Sequence, residues 1–234
     1  MKEDIVYILK KDISSDEIKY SLRSVAENMP EHRVVFYCGC PKDIKPDLYV
    51  KHTQTGALKW QRSTSSLVAI CKNDDLTEDF FLFNDDFYVL EPQEGEFINF
   101  AFGSIEDRIR DLRTRHTDSG YIRQLVQMEQ ELIRKGFPTV NYALHVPMLV
   151  NRKKALEVLS SAESPMFRCM YGNMTHQVYK THEDVKIYDL ETVPGRNGTK
   201  WDFLSSADNT FKNGKVGKWV RERFPNPSPW EVVS

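Results

Sequence analysis

Apolar residues fall along this chain in two rhythms. Ile5-Val-Tyr-Ile-Leu9 is a continuous apolar run, as a strand buried on both faces requires, and Arg33-Val-Val-Phe-Tyr-Cys38 reads as the second strand. Between them Ile18, Leu22, Val25 and Met29 recur at helical spacing. Ser14 and Glu17 stand at capping-box distance ahead of this helix, and Pro30 ends it. Leu48-Tyr-Val50 reads as a short third strand, and this β-α-β order predicts a parallel sheet with right-handed crossovers. Thr53-Gln-Thr-Gly56 is a loop, followed by a helical pattern over 57–71 with Leu58, Leu67 and Ile70 inward. Phe80-Phe-Leu-Phe83 is the next strand, and Phe87-Tyr-Val-Leu90 continues as another.

The second half is less regular. Ser104 and Asp107 open a helix carrying Ile105, Ile109 and Leu112, and a further helix buries Tyr121, Leu125, Met128 and Leu132 before Gly136 and Pro138. Residues 140–150 read as a strand interrupted by His145-Val-Pro147, with Asn151 capping a helix that runs to Leu159. Lys186-Ile-Tyr-Asp-Leu190 is a strand, and Gly195 to Thr199 a turn-rich loop. Phe211 to Phe224 is a basic amphipathic stretch, and Pro225, Pro227 and Pro229 make an extended tail. The chain has no repeat and no Pro/Ser/Gly linker. One domain over 1–234 is expected, with a helical insertion about 104–136 and a basic C-terminal segment over 205–234.

Composition narrows the choices. With 234 residues, 40% of them hydrophobic and 28% charged, the chain is long enough for one α/β core with additions. A net charge of -2 gives no global attraction to nucleic acid, so such contact needs a local basic patch. Cys38, Cys40, Cys71 and Cys169 make neither a disulfide framework nor a zinc site and are expected to be reduced and buried. No apolar run approaches the ~20 residues that span a bilayer, and no leader is visible before the first strand. A cytoplasmic location is expected on these grounds. There is no G-x-x-x-x-G-K-[ST] loop, no G-x-G-x-x-G fingerprint and no G-x-S-x-G elbow.

The chemistry concentrates at Asn84-Asp85-Asp86. A doubly wound sheet opens its ligand crevice beyond the carboxyl ends of its strands, and two adjacent carboxylates there suit a divalent metal holding a diphosphate. A solvated Asn-Asp-Asp turn is the competing explanation. Asn84 would orient a carboxylate or touch the sugar. Arg23 is either a surface charge or a phosphate contact. Lys59, Trp60 and Arg62 suit a nucleotide base or phosphate, although Trp60 serves equally as a core or rim residue. His145 is a core histidine or a third metal ligand, and Arg168 and His176 are candidates for the same site. Lys215 and Lys218 are a solvated helix face or a diphosphate contact, with Gly214 and Gly217 allowing close backbone approach; the arginines from Arg108 to Arg115 have the same two readings.

Taken together, Tyr20-Ser-Leu-Arg-Ser24 and Phe81-Leu-Phe-Asn-Asp-Asp-Phe87 resemble the core of Stealth-type sugar transferases, relatives of the capsular-polysaccharide phosphotransferases. Ser205-Ser-Ala-Asp208, the segment from Gly214 to Lys218, and Phe224 look like small sugar-transferase-like proteins carried by phages. Lys10-Lys-Asp-Ile-Ser14 stands where that family usually has an Asp-Gly-Ser-Asp element.

The resemblance implies an α/β fold: a GT-A-like, mainly parallel sheet flanked by helices. It implies a metal-dependent glycosyltransferase using Mn2+ or Mg2+ and a nucleotide-sugar donor such as UDP-glucose. The acceptor would be a glycan or a hydroxylated base in phage DNA, the latter placing the protein in the host cytoplasm. Asp85 and Asp86 would hold the metal, with His145 completing its shell. Arg23, Lys59, Arg62 and Lys215 would contact the donor. For an inverting transfer, Asp86 and Asp208 are the candidate bases. Transfer of a hexose phosphate by the same acids, and a non-catalytic nucleic-acid-binding protein, are the alternatives.

Overall fold

The computed structural model describes residues 2–11, 13, 16–114, 119–194 and 201–232. Its central sheet has the strand order β3-β2-β1-β4-β7, built from β1 (Asp4–Leu9), β2 (Val34–Cys38), β3 (Leu48–Val50), β4 (Asp79–Phe83) and β7 (Met148–Asn151). The first four strands are parallel, and β7 runs antiparallel to β4. The continuous apolar runs follow from burial on both faces, since successive side chains point to opposite sides. Val6, Val35, Tyr37, Phe80 and Leu82 face one core; Ile5, Tyr7, Phe36, Phe81 and Phe83 face the other.

The crossover helices are α1 (Glu17–Asn28) and α2 (Lys59–Cys71). The first core is closed by α2, by α3 (Ile105–Thr114) and α4 (Ser119–Arg134), and by α5 (Arg152–Ser161) and α6 (Phe167–Met174). So α3 and α4 form the expected helical insertion, placed against one face of the sheet. The second core is closed by α1 and a smaller sheet of order β5-β10-β9, made from β5 (Phe87–Val89), β9 (Lys186–Ile187) and β10 (Phe203–Ser206). A two-stranded pair joins β6 (Asn99–Ala101) and β8 (Tyr179–Thr181). Finally, α7 (Asp208–Asn213) and α8 (Lys215–Arg223) pack on Tyr88 and Leu204. No helix among the described residues is long and apolar enough to cross a membrane.

Several local expectations hold for physical reasons. The Asn151 side chain accepts the Lys154 amide at 3.2 Å, which is an N-cap. Ser104 accepts the Asp107 amide at 2.9 Å and donates to its carboxylate at 2.7 Å. The four cysteines are free thiols. Ser14, Arg115 and Gly195–Thr199 lie outside the described residues.

Other expectations shift. Of the stretch 140–150 only 148–150 pairs as a strand, which runs on to Asn151, because Asn141 turns its side chain back onto the Ala143 amide at 3.0 Å and the chain loops through Pro147. The basic stretch over 211–224 divides at Gly214. The glycines expected to admit a ligand instead admit backbone: a Cβ on Gly217 would sit 1.7 Å from the Phe211 carbonyl, so α7 and α8 pack directly there.

Candidate functional site

The strand order fixes where a ligand crevice opens. From β1 the chain proceeds outward through β2 and β3, then returns to place β4 on the other side of β1. The topological switch point therefore lies between the carboxyl ends of β1 and β4. Lys10 follows β1 there, and Asn84-Asp85-Asp86 follows β4. Beside them β2 ends in a tight turn, with Cys38 at φ 73°. Gly39 follows because a Cβ would meet the Lys10 carbonyl at 1.9 Å.

Asp86 is buried and fully engaged on one oxygen. Its Oδ2 accepts Lys186 Nζ at 2.7 Å and Ser205 Oγ at 2.8 Å. Register explains the convergence: in the small sheet Ser205 stands beside both Lys186 and Phe87, the residue after Asp86. Burial works against the Lys186 ammonium, but the Asp86 charge and hydrogen bond outweigh it, and its pKa is raised.

Asp85 is different. It is half-buried, and burial followed by the Asp86 charge pushes its carboxyl above the usual carboxylate range, with Lys10 and Lys186 opposing. No side chain among the described residues donates a hydrogen bond to it. Two hard oxygen donors, one of them uncompensated, fit a divalent cation. Asn84 is exposed and closes the turn by accepting the Phe87 amide through its carbonyl at 3.3 Å.

His145 reaches the same end of the sheet, since β7 is antiparallel and begins there. Its Nδ1 meets Asp184 Oδ1 at 2.8 Å, and Asp184 Oδ2 accepts Arg108 at 3.1 Å. Burial opposes the Asp184 charge, but His145 and Arg108 hold its carboxyl below the usual range. Among the described residues no group of three His, Cys, Asp or Glu side chains is placed to hold a metal. The exposed Tyr188 ring bridges the two clusters, 6.5 Å from His145 and 5.9 Å from Lys186 Nζ.

Arg168 stands behind this edge. Its guanidinium donates to the Val146 carbonyl at 2.7 Å and the Leu82 carbonyl at 3.3 Å and lies over Phe87. Burial lowers its pKa to about 10 against the pull of Asp86. It ties the end of β4 to the loop before β7. Lys59, Trp60 and Arg62 begin α2, the crossover helix between β3 and β4. Trp60 is exposed, and Arg62 caps its own loop through the Gly56 and Ala57 carbonyls.

The remaining candidates sit elsewhere. Arg23 makes a two-pronged pair with Glu231 at 2.8 Å for each bond and also holds the carbonyls of Phe224 and Pro225, so it clamps the C-terminal tail. Lys215 pairs with Glu191, Lys218 lies near Glu222 at 3.7 Å, and exposed Asp208 pairs with Lys212 at 3.0 Å. His176 is exposed, against Phe137.

Sequence reasoning missed Lys10, Asp184, Lys186, Tyr188 and Ser205. One signal was available: two-residue alternation along the predicted strand from Lys186 puts Lys186 and Tyr188 on one face.

Comparison with protein families finds no match, and comparison with curated proteins finds none either. Among solved structures, the fold is similar to that of the galactosyltransferase LgtC in complex with donor and acceptor sugar analogs. The TM-score is 0.50 at 10% sequence identity, over 95% of this chain and 94% of that chain. The fold is GT-A-like. It is the α/β architecture expected: a mainly parallel sheet flanked by helices, with the helical insertion of α3 and α4.

Proposed function

We propose that the chain is a glycosyltransferase that moves a sugar from a nucleotide-sugar donor such as UDP-glucose to a hydroxyl acceptor. The observation that carries this is the Asp85–Asp86 pair at the switch point between β1 and β4, flanked by Lys10 and Lys186. Support comes from the shared fold with a galactosyltransferase.

In this reading Asp85 and the second oxygen of Asp86 would hold Mn2+ or Mg2+, which when bound would supply positive charge for the departing diphosphate. Lys186 and Ser205 fix the Asp86 carboxylate, and Lys10 adds positive charge on the β1 side. Lys59, Trp60 and Arg62 line the nucleotide end of the crevice. Arg168 positions the acidic turn without touching the donor. The acceptor hydroxyl approaches past Tyr188 and His145, attacks the anomeric carbon and passes its proton to the departing diphosphate, which leaves with the electron pair of the broken C–O bond.

A glycan hydroxyl fits this edge better than DNA. The basic helices meant to meet phosphates spend much of their charge in ion pairs: Arg108 with Asp111 and Asp184, Arg110 with Glu106 and Asp107, Lys215 with Glu191. Calorimetric titration of a panel of nucleotide sugars with Mn2+ tests the proposal. Binding in the wild type that is lost in Asp85→Ala supports it. A wild type that binds no nucleotide sugar overturns it.

A further inference from the structure

The opposite end of the sheet carries a cavity of about 590 Å³. It opens where β1 and β2 begin, beneath the loop over 91–98 and against the face that α1 covers. Phe81, which lines the cavity from β4, is about 13 Å along the strand from Asp85, so the cavity is separate from the crevice above. Its volume falls in the range of sites that enclose small ligands.

Part of its wall is aromatic. Phe97 stands edge-on to Phe81 with centroids 4.8 Å apart and to Phe100 at 5.7 Å, and the His32 ring meets Phe81 at 5.4 Å. His32 is only 8% exposed. Its Nδ1 lies 2.7 Å from the Glu3 carbonyl, which accepts only, so Nδ1 carries the hydrogen and Nε2 is an acceptor. Nε2 has no hydrogen-bond partner among the described residues, and the ring lines the cavity. The acceptor faces the cavity, where a ligand or water can donate to it.

Charge selects the ligand class. The lining carries the carboxylates of Glu3, Glu94, Glu96 and Asp202 against the ammoniums of Lys2 and Lys180, and Lys2 is already paired with Glu31 at 2.7 Å. An excess of carboxylates repels phosphates, which excludes the nucleotide donor and a nucleic-acid backbone. A polyamine would meet the carboxylates but also Lys180, which has no acidic partner among the described residues. A neutral saccharide uses every group: hydroxyls donate to Nε2 and to carboxylates, accept from Lys180, and place their C–H faces on the aromatic wall.

We infer that this cavity is a binding site for a neutral oligosaccharide, remote from the transfer crevice. It would hold one stretch of a glycan chain independently of the Asp85–Asp86 site. Gly95, at φ 78°, lets the covering loop turn back over it.

The experiment is saturation-transfer and amide-shift NMR of the full chain with maltotriose, cellotriose and triacetylchitotriose, with spermidine as the cationic probe. At least one trisaccharide is expected to bind and to shift amides over 93–98. Phe97→Ala should weaken it by about tenfold, the scale of one aromatic contact. Because Phe97 also packs internally, Glu96→Gln on the exposed rim gives a second test, with a smaller loss and an unchanged melting temperature. Asp85→Ala should leave saccharide binding intact, so failure here is separable from failure of nucleotide-sugar binding with Mn2+ in the same sample. Absence of binding by all three trisaccharides, equal binding by both folded variants, or binding of spermidine alone overturns the inference.

Discussion

The two ends of the central sheet use charge in opposite ways. At the carboxyl end, carboxylates and ammoniums interleave within a few ångströms. Lys186 and Ser205 hold Asp86, and Asp85 is left pushed up by burial and by its neighbour. At the amino end, carboxylates rim a partly aromatic wall, and the Nε2 acceptor of His32 faces the cavity. The first arrangement suits an anion bridged by a cation; the second suits a neutral molecule rich in hydroxyls. The sheet that separates them is apolar on both faces, so each end can be altered without reaching the other.

The largest expected effect at the carboxyl end is on stability. Asp86→Ala leaves the part-buried Lys186 without its counter-charge; removing one partner of a buried pair costs about 3–5 kcal/mol, and the 18% exposure of the Lys186 side chain puts this loss at the lower end. Thermal denaturation should show a steep fall, and adding Lys186→Met should restore much of it. A double variant no better than the single one would mean that the pair is not a closed unit.

Binding comes next. Asp85→Ala should weaken nucleotide-sugar affinity with Mn2+ by about 10–100-fold, the scale of losing support at a metal site. The trisaccharide affinity of the other end should not move. If both fall together, the two ends are not independent.

Arg23 offers a sharper division between fold and site. Arg23→Ala removes the clamp on the C-terminal tail and should cost about 1–3 kcal/mol, as expected for hydrogen bonds to a charged group. Its nucleotide-sugar affinity should match the wild type. A donor dissociation constant that rises while stability holds would return Arg23 to the donor site.

The smallest effect is a pH-dependent gain. The folded-state pKa of Asp85 is raised, so folding is penalised once the unfolded carboxyl ionises, near pH 4 and above. Asp85→Asn should therefore melt a few degrees higher than wild type at pH 7, and the difference should close near pH 3. An advantage that persists at pH 3 would point to packing rather than charge.

Much of the fold was legible in the chain because local patterns carry it. Ile5–Leu9, Val34–Cys38 and Phe80–Phe83 are apolar throughout since both faces of the sheet are covered. The helix interval of Ile18, Leu22 and Val25 is equally local. The stretch from Val140 was misread because a buried asparagine and Pro147 turn the chain where apolar content alone suggests a strand. The split of the basic segment was hidden for a similar reason: Gly214 and Gly217 serve helix packing, which depends on Phe211 and Thr210 rather than on a ligand.

The sequence by itself determined that two carboxylates end a buried strand at a sheet edge, because burial and alternation need only near neighbours. Only the tertiary structure decided what surrounds them. Lys186 and Ser205 lie 100 and 119 residues from Asp86 and reach it through the register of the small sheet. Arg23 meets Glu231 across 208 residues. Such contacts are set by strand pairing and helix docking between distant segments, and no local pattern encodes them.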